Sequence, residues 1–169
     1  AAVTDGFGQV YAADRLIGLL AEGSVIDDAS VGPAPLTGLA HTERDRLAPD
    51  LASISLSSGR VDAGVAIMHR RQHAKVAVIG ASRVGASIAT LLAAAGVGHV
   101  GVDDPATCRA ADCAPAGLAP SDVGTSRAQA AQAAIHRVSP SARTSALSPS
   151  ERFDIVVLAP AGALNPQVG

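Results

Sequence analysis

The sequence is poor in the residues that build aromatic surfaces. It has no tryptophan, one tyrosine and two phenylalanines among 169 residues. That shortage excludes the stacking platforms on which single-stranded nucleic acids lie, and it requires an aliphatic core. An excess of charge of one sign is also missing. The formal net charge is −2, from 13 basic and 15 acidic residues, and no basic stripe marks a nucleic-acid footprint. Lys75 is the only lysine. No apolar run approaches the roughly 20 residues of a membrane helix, and no amino-terminal stretch reads as a signal peptide. The two cysteines, Cys108 and Cys113, are too few for a structural metal site. They read as unpaired thiols in a reducing cytosol, so a cytoplasmic protein is expected.

What is present is apolar: 48% of the residues, though much of that is alanine, which buries little area per residue. The pattern divides the chain into 1–72, a small and mainly helical unit, and 73–169, an α/β domain. Residues 1–10 are small and polar with two glycines and read as a frayed terminus. From Ala12 to Gly23 the spacing puts Leu16, Leu19 and Leu20 on one helical face, with Gly23 as its stop. Residues 27–40, with Pro33 and Pro35, read as a loop. Thr42 to Asp45 opens a short helix that Pro49 is expected to interrupt. Arg60 to Arg71 carries Val61, Val65 and Met68 at helical spacing.

From His73 the period changes. Lys75 to Gly80 is a β-branched run ending in glycine, the mark of a buried parallel strand. A helix is expected from Val84 to Ala95, a strand over His99 to Asp103, and a proline-rich loop after it. Ser121 is expected to cap a helix running, with a break near Gly124, to Val138. Short strands are expected over Arg143 to Leu147 and Phe153 to Ala159. Strand and helix alternate in this order in a Rossmann-like, mostly parallel sheet with flanking helices. About four strands fit, against roughly six in a complete doubly wound sheet. The last strand would leave an apolar edge open, so the domain is expected to continue beyond Gly169.

The stretch from Gly80 to Gly85, with the sequence GASRVG, stands where a phosphate loop belongs, after a strand and before a helix. In GxGxxG the first glycine makes the turn, the second lets the backbone approach phosphate, and the third lets helix and strand pack closely. Gly80 and Gly85 hold the first and third positions. Ser82 replaces the second; its Cβ crowds the approach while its hydroxyl offers a donor. Arg83 has three readings: it grips a phosphate, folds across an empty site onto Asp103 or Asp104, or lies solvated. Asp103 and Asp104 stand at the end of the second strand, where an acidic residue holds a ribose hydroxyl. The alternative for the glycines is packing alone.

The segments VAVIGASRVGASIATLLAAAGVG, VGVDD, DVGTSRAQAAQAAIHRVSP and FDIVVLAPAG agree in order with a known family. Over roughly residues 74–165 the chain resembles the ThiF/MoeB/HesA superfamily, bacterial relatives of ubiquitin-activating enzymes. The resemblance implies ATP- and magnesium-dependent adenylation of the carboxyl terminus of a peptide or small protein. It also implies pairing as a homodimer. Asp122-Val123-Gly124 matches the element that the family follows with lysine; Arg127 stands for that lysine. Other family positions are altered: Ala106 at an acidic position, Asp112 at an asparagine, Pro115 at an arginine and Ala161 at a second aspartate. By this resemblance the nucleotide ligands are Gly80, Ser82, Arg83, Gly85, Asp103, Asp104 and Arg127, with Asp104 on the ribose. No catalytic residue and no metal ligand is assigned. ATP binding is expected to be weak or lost and magnesium absent, with a peptide or small protein as partner. The stretch RLIGLLAEGSVIDD resembles the closing helix of peptide-binding modules attached to ThiF-like proteins; the alternative is a helical cap on the sheet.

Other candidates are weaker. His69 and His73, one helical turn apart, could share a metal, although Arg70 and Arg71 oppose a cation. His99, opening the second strand, reads as a surface or edge residue. A catalytic thiol at Cys108 or Cys113 is possible beside a helix terminus, and Ser87 lies inside a helix with no nucleophile elbow. Three functions remain: a degenerate ThiF-like binding protein; a working adenylyltransferase completed by a partner subunit or by further chain; and a nicotinamide-dependent oxidoreductase, for which no hydride-transfer residue stands out. Fold alone does not choose among them.

Overall fold

The computed structural model describes residues 2–4, 10–23, 36, 38–58, 63–145 and 151–160. They form two compact units, Ala1–His69 and Arg70–Gly169.

In the first unit, β1 (Ala2–Thr4) pairs antiparallel with β2 (Val10–Ala12), Ala2 opposite Ala12. Ala2–Thr4 and Val10, part of the stretch expected to fray, are therefore strand-paired, which satisfies their backbone polar groups; Ala1 and residues 5–9 lie outside the described residues. Helix α1 (Ala13–Glu22) follows at once, and the Gly23 N–H closes it on the Leu19 carbonyl at 2.9 Å. Of its expected apolar face, Leu16 and Leu20 are half-buried and Leu19 is exposed. Helix α2 (His41–Ser58) runs straight through Pro49, against the expected interruption. Pro49 is exposed, so the carbonyl it leaves without a donor is within reach of water. Leu47 before the proline and Leu51 and Ile54 after it join one small core with Leu36 and Met68. That shared burial holds the helix together across a residue that costs about 3 kcal/mol in a helix interior. Met68 lies on α3 (Ala63–His73). A Cβ on Gly64 would overlap Ser55 and crowd the Leu51 carbonyl, so α2 and α3 meet almost backbone to backbone.

The second unit contains β3 (Lys75–Ile79), α4 (Arg83–Ala94), β4 (His99–Asp103), α5 (Arg127–Val138) and β5 (Ile155–Leu158). The sheet order is β4-β3-β5, with both pairings parallel. Val76 stands between Val100 and Ile155, and Ile79 between Asp103 and Leu158. The core is aliphatic and alanine-rich, as the lack of aromatics requires. Val76, Val78, Val100 and Val102 meet Ala86, Ala89 and Ala93 of α4 and Ala130, Ala131 and Ile135 of α5. Small side chains let α4 and α5 pack on each other closely.

Three strands stand in this sheet among the described residues. The expected strand at Arg143 is reduced to one bridge to His99 beside β4, with Val100 N–H donating to the Arg143 carbonyl at 2.9 Å; Ala146 and Leu147 lie outside the described residues. The helix expected from Ser121 does break near Gly124: its long part begins at Arg127, and its N-cap is Ser126 and not Ser121. Before it, a 3-10 turn covers Pro120–Asp122. The Asp122 carboxylate accepts the Ala119 N–H at 2.7 Å, and the Thr125 hydroxyl donates to the Asp122 carbonyl at 2.7 Å. Such local side-chain bonds compete with helix formation. On β5, Ile155, Val156 and Leu158 are all more than half exposed.

Candidate functional site

The carboxyl ends of β3, β4 and β5 surround a cavity of about 300 Å3, lined by Gly80, Asp103, Asp104, Pro105, Arg127 and Leu158 among others. Ligands of open parallel sheets bind at this end of the strands. Gly80 turns the chain out of β3 at φ +95°, a conformation that side chains disfavour, and its N–H donates to the Asp103 carbonyl at 2.8 Å. A Cβ on Gly80 would overlap the Ala159 carbonyl; one on Gly85 would overlap the Gly80 carbonyl. Both glycines are thus demanded by close packing around the loop. Ser82 is nearly buried at the N-cap of α4, with extended backbone and no capping bond from its hydroxyl. The unpaired N–H groups of the first turn of α4 give this end of the loop a partial positive charge.

The two aspartates at the end of β4 are not equivalent. Asp103 is exposed and faces the cavity. Asp104 is buried. One of its oxygens accepts the Ala81 N–H at 2.8 Å and the other the Ala106 N–H at 2.9 Å. Asp104 thereby ties the glycine loop to the loop after β4. The Arg127 guanidinium lies 3.6 Å from Asp104 and is gripped on its other side by Asp112. Arg127 Nε and Nη2 donate to the two Asp112 oxygens at 2.8 and 2.9 Å, the bidentate geometry that guanidinium and carboxylate share. Asp112 also accepts the Arg109 N–H at 2.8 Å across a 3-10 turn, Ala110–Asp112. All three charged side chains are less than a tenth exposed.

Of the residues singled out from sequence, the structure therefore brings Gly80, Asp103, Asp104 and Arg127 to one cavity. Gly85 supports the loop from behind. Arg83 is exposed, and its Nε donates to the Ala111 carbonyl at 3.2 Å, while the ion-pair partner of Asp104 is Arg127. Asp112, read from sequence only as a departure from an asparagine, is the residue that fixes Arg127. The signal that could have found it is a buried arginine's need for a carboxylate partner. Ala106 is half-buried, with its N–H held by Asp104; Ala161 lies outside the described residues. Among the described residues no group of three or more His, Cys, Asp or Glu is placed to hold a metal ion. His69 and His73 both fall within α3 and are exposed.

His99 stands on an edge strand, β4, but is buried and not at the surface. Its Nε2 meets the Ser145 hydroxyl at 2.7 Å, its Nδ1 lies 3.4 Å from Glu151, and the Phe153 ring is tilted against it at 5.7 Å. Lys75 holds the same Glu151 oxygen at 3.1 Å. Burial pushes the His99 pKa down, partly opposed by Glu151, while the hydrogen bond from Lys75 holds the Glu151 carboxyl low. Lys75 and His99 are paired at the start of β3 and β4, the end of the sheet opposite the cavity. No helix among the described residues is long and apolar enough to cross a membrane.

Comparison with known proteins agrees with this geometry. The chain is similar in fold to PaaA, with a TM-score of 0.64 and 22% identity over 81% of this chain and 46% of PaaA. Escherichia coli tRNA N6-threonylcarbamoyladenosine dehydratase, TcdA, solved with AMP, matches with a TM-score of 0.52 and 20% identity over 64% of this chain and 41% of its own. E. coli MccB, solved with succinimide, matches with a TM-score of 0.53 and 16% identity over 91% of this chain and 38% of its own. The chain thus spans less than half the length of each, and at these identities the likeness is one of fold. No curated protein matches. The ThiF family model matches residues 58–152, more than half of the sequence and the whole path from α3 through β3, the glycine loop, β4 and α5. By that match, and by the parallel sheet and glycine turn that underlie it, the chain belongs to the ThiF family.

Proposed function

We propose that this ThiF-family domain carries a degenerate ATP site and acts by binding a peptide or small protein partner, with no adenylation of its own. The observation that carries the reading is the closure of charge around Arg127. The cation that the family resemblance assigns to nucleotide phosphate is buried between Asp104 and Asp112. Asp104, the assigned ribose ligand, gives its oxygens to backbone N–H groups of the two loops. Adenylation brings a carboxylate against a triphosphate, and cationic groups must gather on the transferring phosphate. Freeing Arg127 for that role would strand two buried carboxylates, a cost of several kcal/mol. Asp103 keeps an exposed carboxylate at the cavity, which suits a ribose diol and supports residual affinity for a nucleoside or for AMP, the ligand found with TcdA.

The second reading, a working adenylyltransferase completed by a partner subunit, is favoured by the intact turn at Gly80 and the exposed Asp103. Exchange of labelled pyrophosphate into ATP separates the two. The degenerate reading predicts no exchange with or without peptide. Exchange that depends on a peptide carboxyl terminus establishes the second. A homodimer is expected in either case, and sedimentation of the purified chain tests it.

A further inference from the structure

Cys108 and Cys113 flank the 3-10 turn that carries Asp112. The turn folds the chain back, so both sulfurs point at one acceptor, the Arg109 carbonyl, at 3.7 and 3.8 Å. Both cysteines are free thiols. Their surroundings differ. Cys108 is buried in the core of the second unit, packed with residues such as Leu118 and Val102. Cys113 is half-buried and lines a second cavity of about 470 Å3, with Pro115, Leu118, Pro120 and Arg137 on its walls. Its sulfur also donates to the Ala119 carbonyl at 3.3 Å.

We propose that Cys108 and Cys113 form a modification site, a dithiol that low-molecular-weight disulfides such as oxidised glutathione convert to an intramolecular disulfide, with Cys113 reacting first. The Cys113 thiolate attacks one sulfur of oxidised glutathione and expels one glutathione thiolate, which takes up the proton lost from Cys113. Cys108 then gives up its own proton and attacks the Cys113 sulfur of the mixed disulfide, expelling the second glutathione. Two protein thiols are oxidised and one glutathione disulfide is reduced to two thiols. The order follows from access, since the cavity reaches Cys113 and not Cys108. Burial, followed by the neighbouring Cys113 thiol, pushes the Cys108 pKa up, which agrees with Cys108 being the slower, resolving thiol. The proposal stands apart from the nucleotide reading, although Asp112, adjacent to Cys113, belongs to both places.

The test is incubation of the whole chain with oxidised glutathione, then alkylation in denaturant and intact-mass measurement. The wild type is expected to end two hydrogens lighter, with no alkylated thiol. Cys108→Ala is expected to stop as a stable glutathione adduct on Cys113, and Cys113→Ala to remain unmodified; circular dichroism checks that each variant is folded. A wild type that keeps two alkylatable thiols overturns the proposal, as does one that halts at the adduct or crosslinks between chains. Equal reactivity of the two variants overturns the order of attack.

Discussion

Arg127 is clasped by Asp112 through two hydrogen bonds at 2.8 and 2.9 Å, in a place where neither side chain meets much water. The clasp joins the loop after β4 to the first turn of α5. Removing Asp112 breaks both hydrogen bonds and leaves the buried Arg127 only Asp104, at 3.6 Å. Asp112→Ala is therefore expected to cost about 3–5 kcal/mol of unfolding free energy. The double variant Asp112→Ala, Arg127→Met is expected to lose less than the sum of its single changes. Urea unfolding of the four proteins in the cycle measures this.

The glycines of the loop differ in what they tolerate. Gly85→Ala drives a Cβ into the Gly80 carbonyl, and about 1–3 kcal/mol or more is expected to be lost. Gly124 has a positive φ of 91° but nothing within 4 Å of its Cβ position. Gly124→Ala is expected to cost only the backbone strain, about 1–2 kcal/mol. Thermal unfolding that reverses this order contradicts the packing role of Gly85.

Stability is expected to fall with acid in two steps. His99 has a lower pKa in the folded chain than its ordinary 6.5. The unfolded chain then binds more protons as pH drops through 6.5, and stability drops until the depressed folded value is passed. Glu151, held below its ordinary 4.5, contributes stability that is present above 4.5 and lost as pH falls through its folded value. His99→Leu is expected to remove the first step and keep the second. Denaturant unfolding across that pH range checks it.

Much of the second unit is legible in the residues. Lys75 to Ile79 is a β-branched run that reads as a buried strand, His99 to Asp103 follows it with Val100 and Val102, and Gly80 and Gly96 punctuate them. The first unit is less legible. A proline inside a helix and a hairpin in a polar terminus are decided by tertiary contacts at Leu47 and Ile54 and by strand pairing, which local propensity does not contain. In the site, the glycine loop and the acidic end of β4 follow from spacing alone. The division of labour between Asp103 and Asp104 does not, because adjacent residues on a strand end point to opposite sides. Nor does the partnership of Arg127 with a residue fifteen positions away, which depends on how the 3-10 turn at Ala110–Asp112 docks.

The central claim is that Arg127 and Asp104, two of the charges that would engage ATP, are engaged with each other and with Asp112. Calorimetric titration of the chain with ATP, with and without magnesium, on the wild type and on Asp104→Ala, tests it directly. Weak or absent binding that magnesium does not strengthen is the predicted result. Micromolar binding that magnesium enhances and Asp104→Ala abolishes contradicts it.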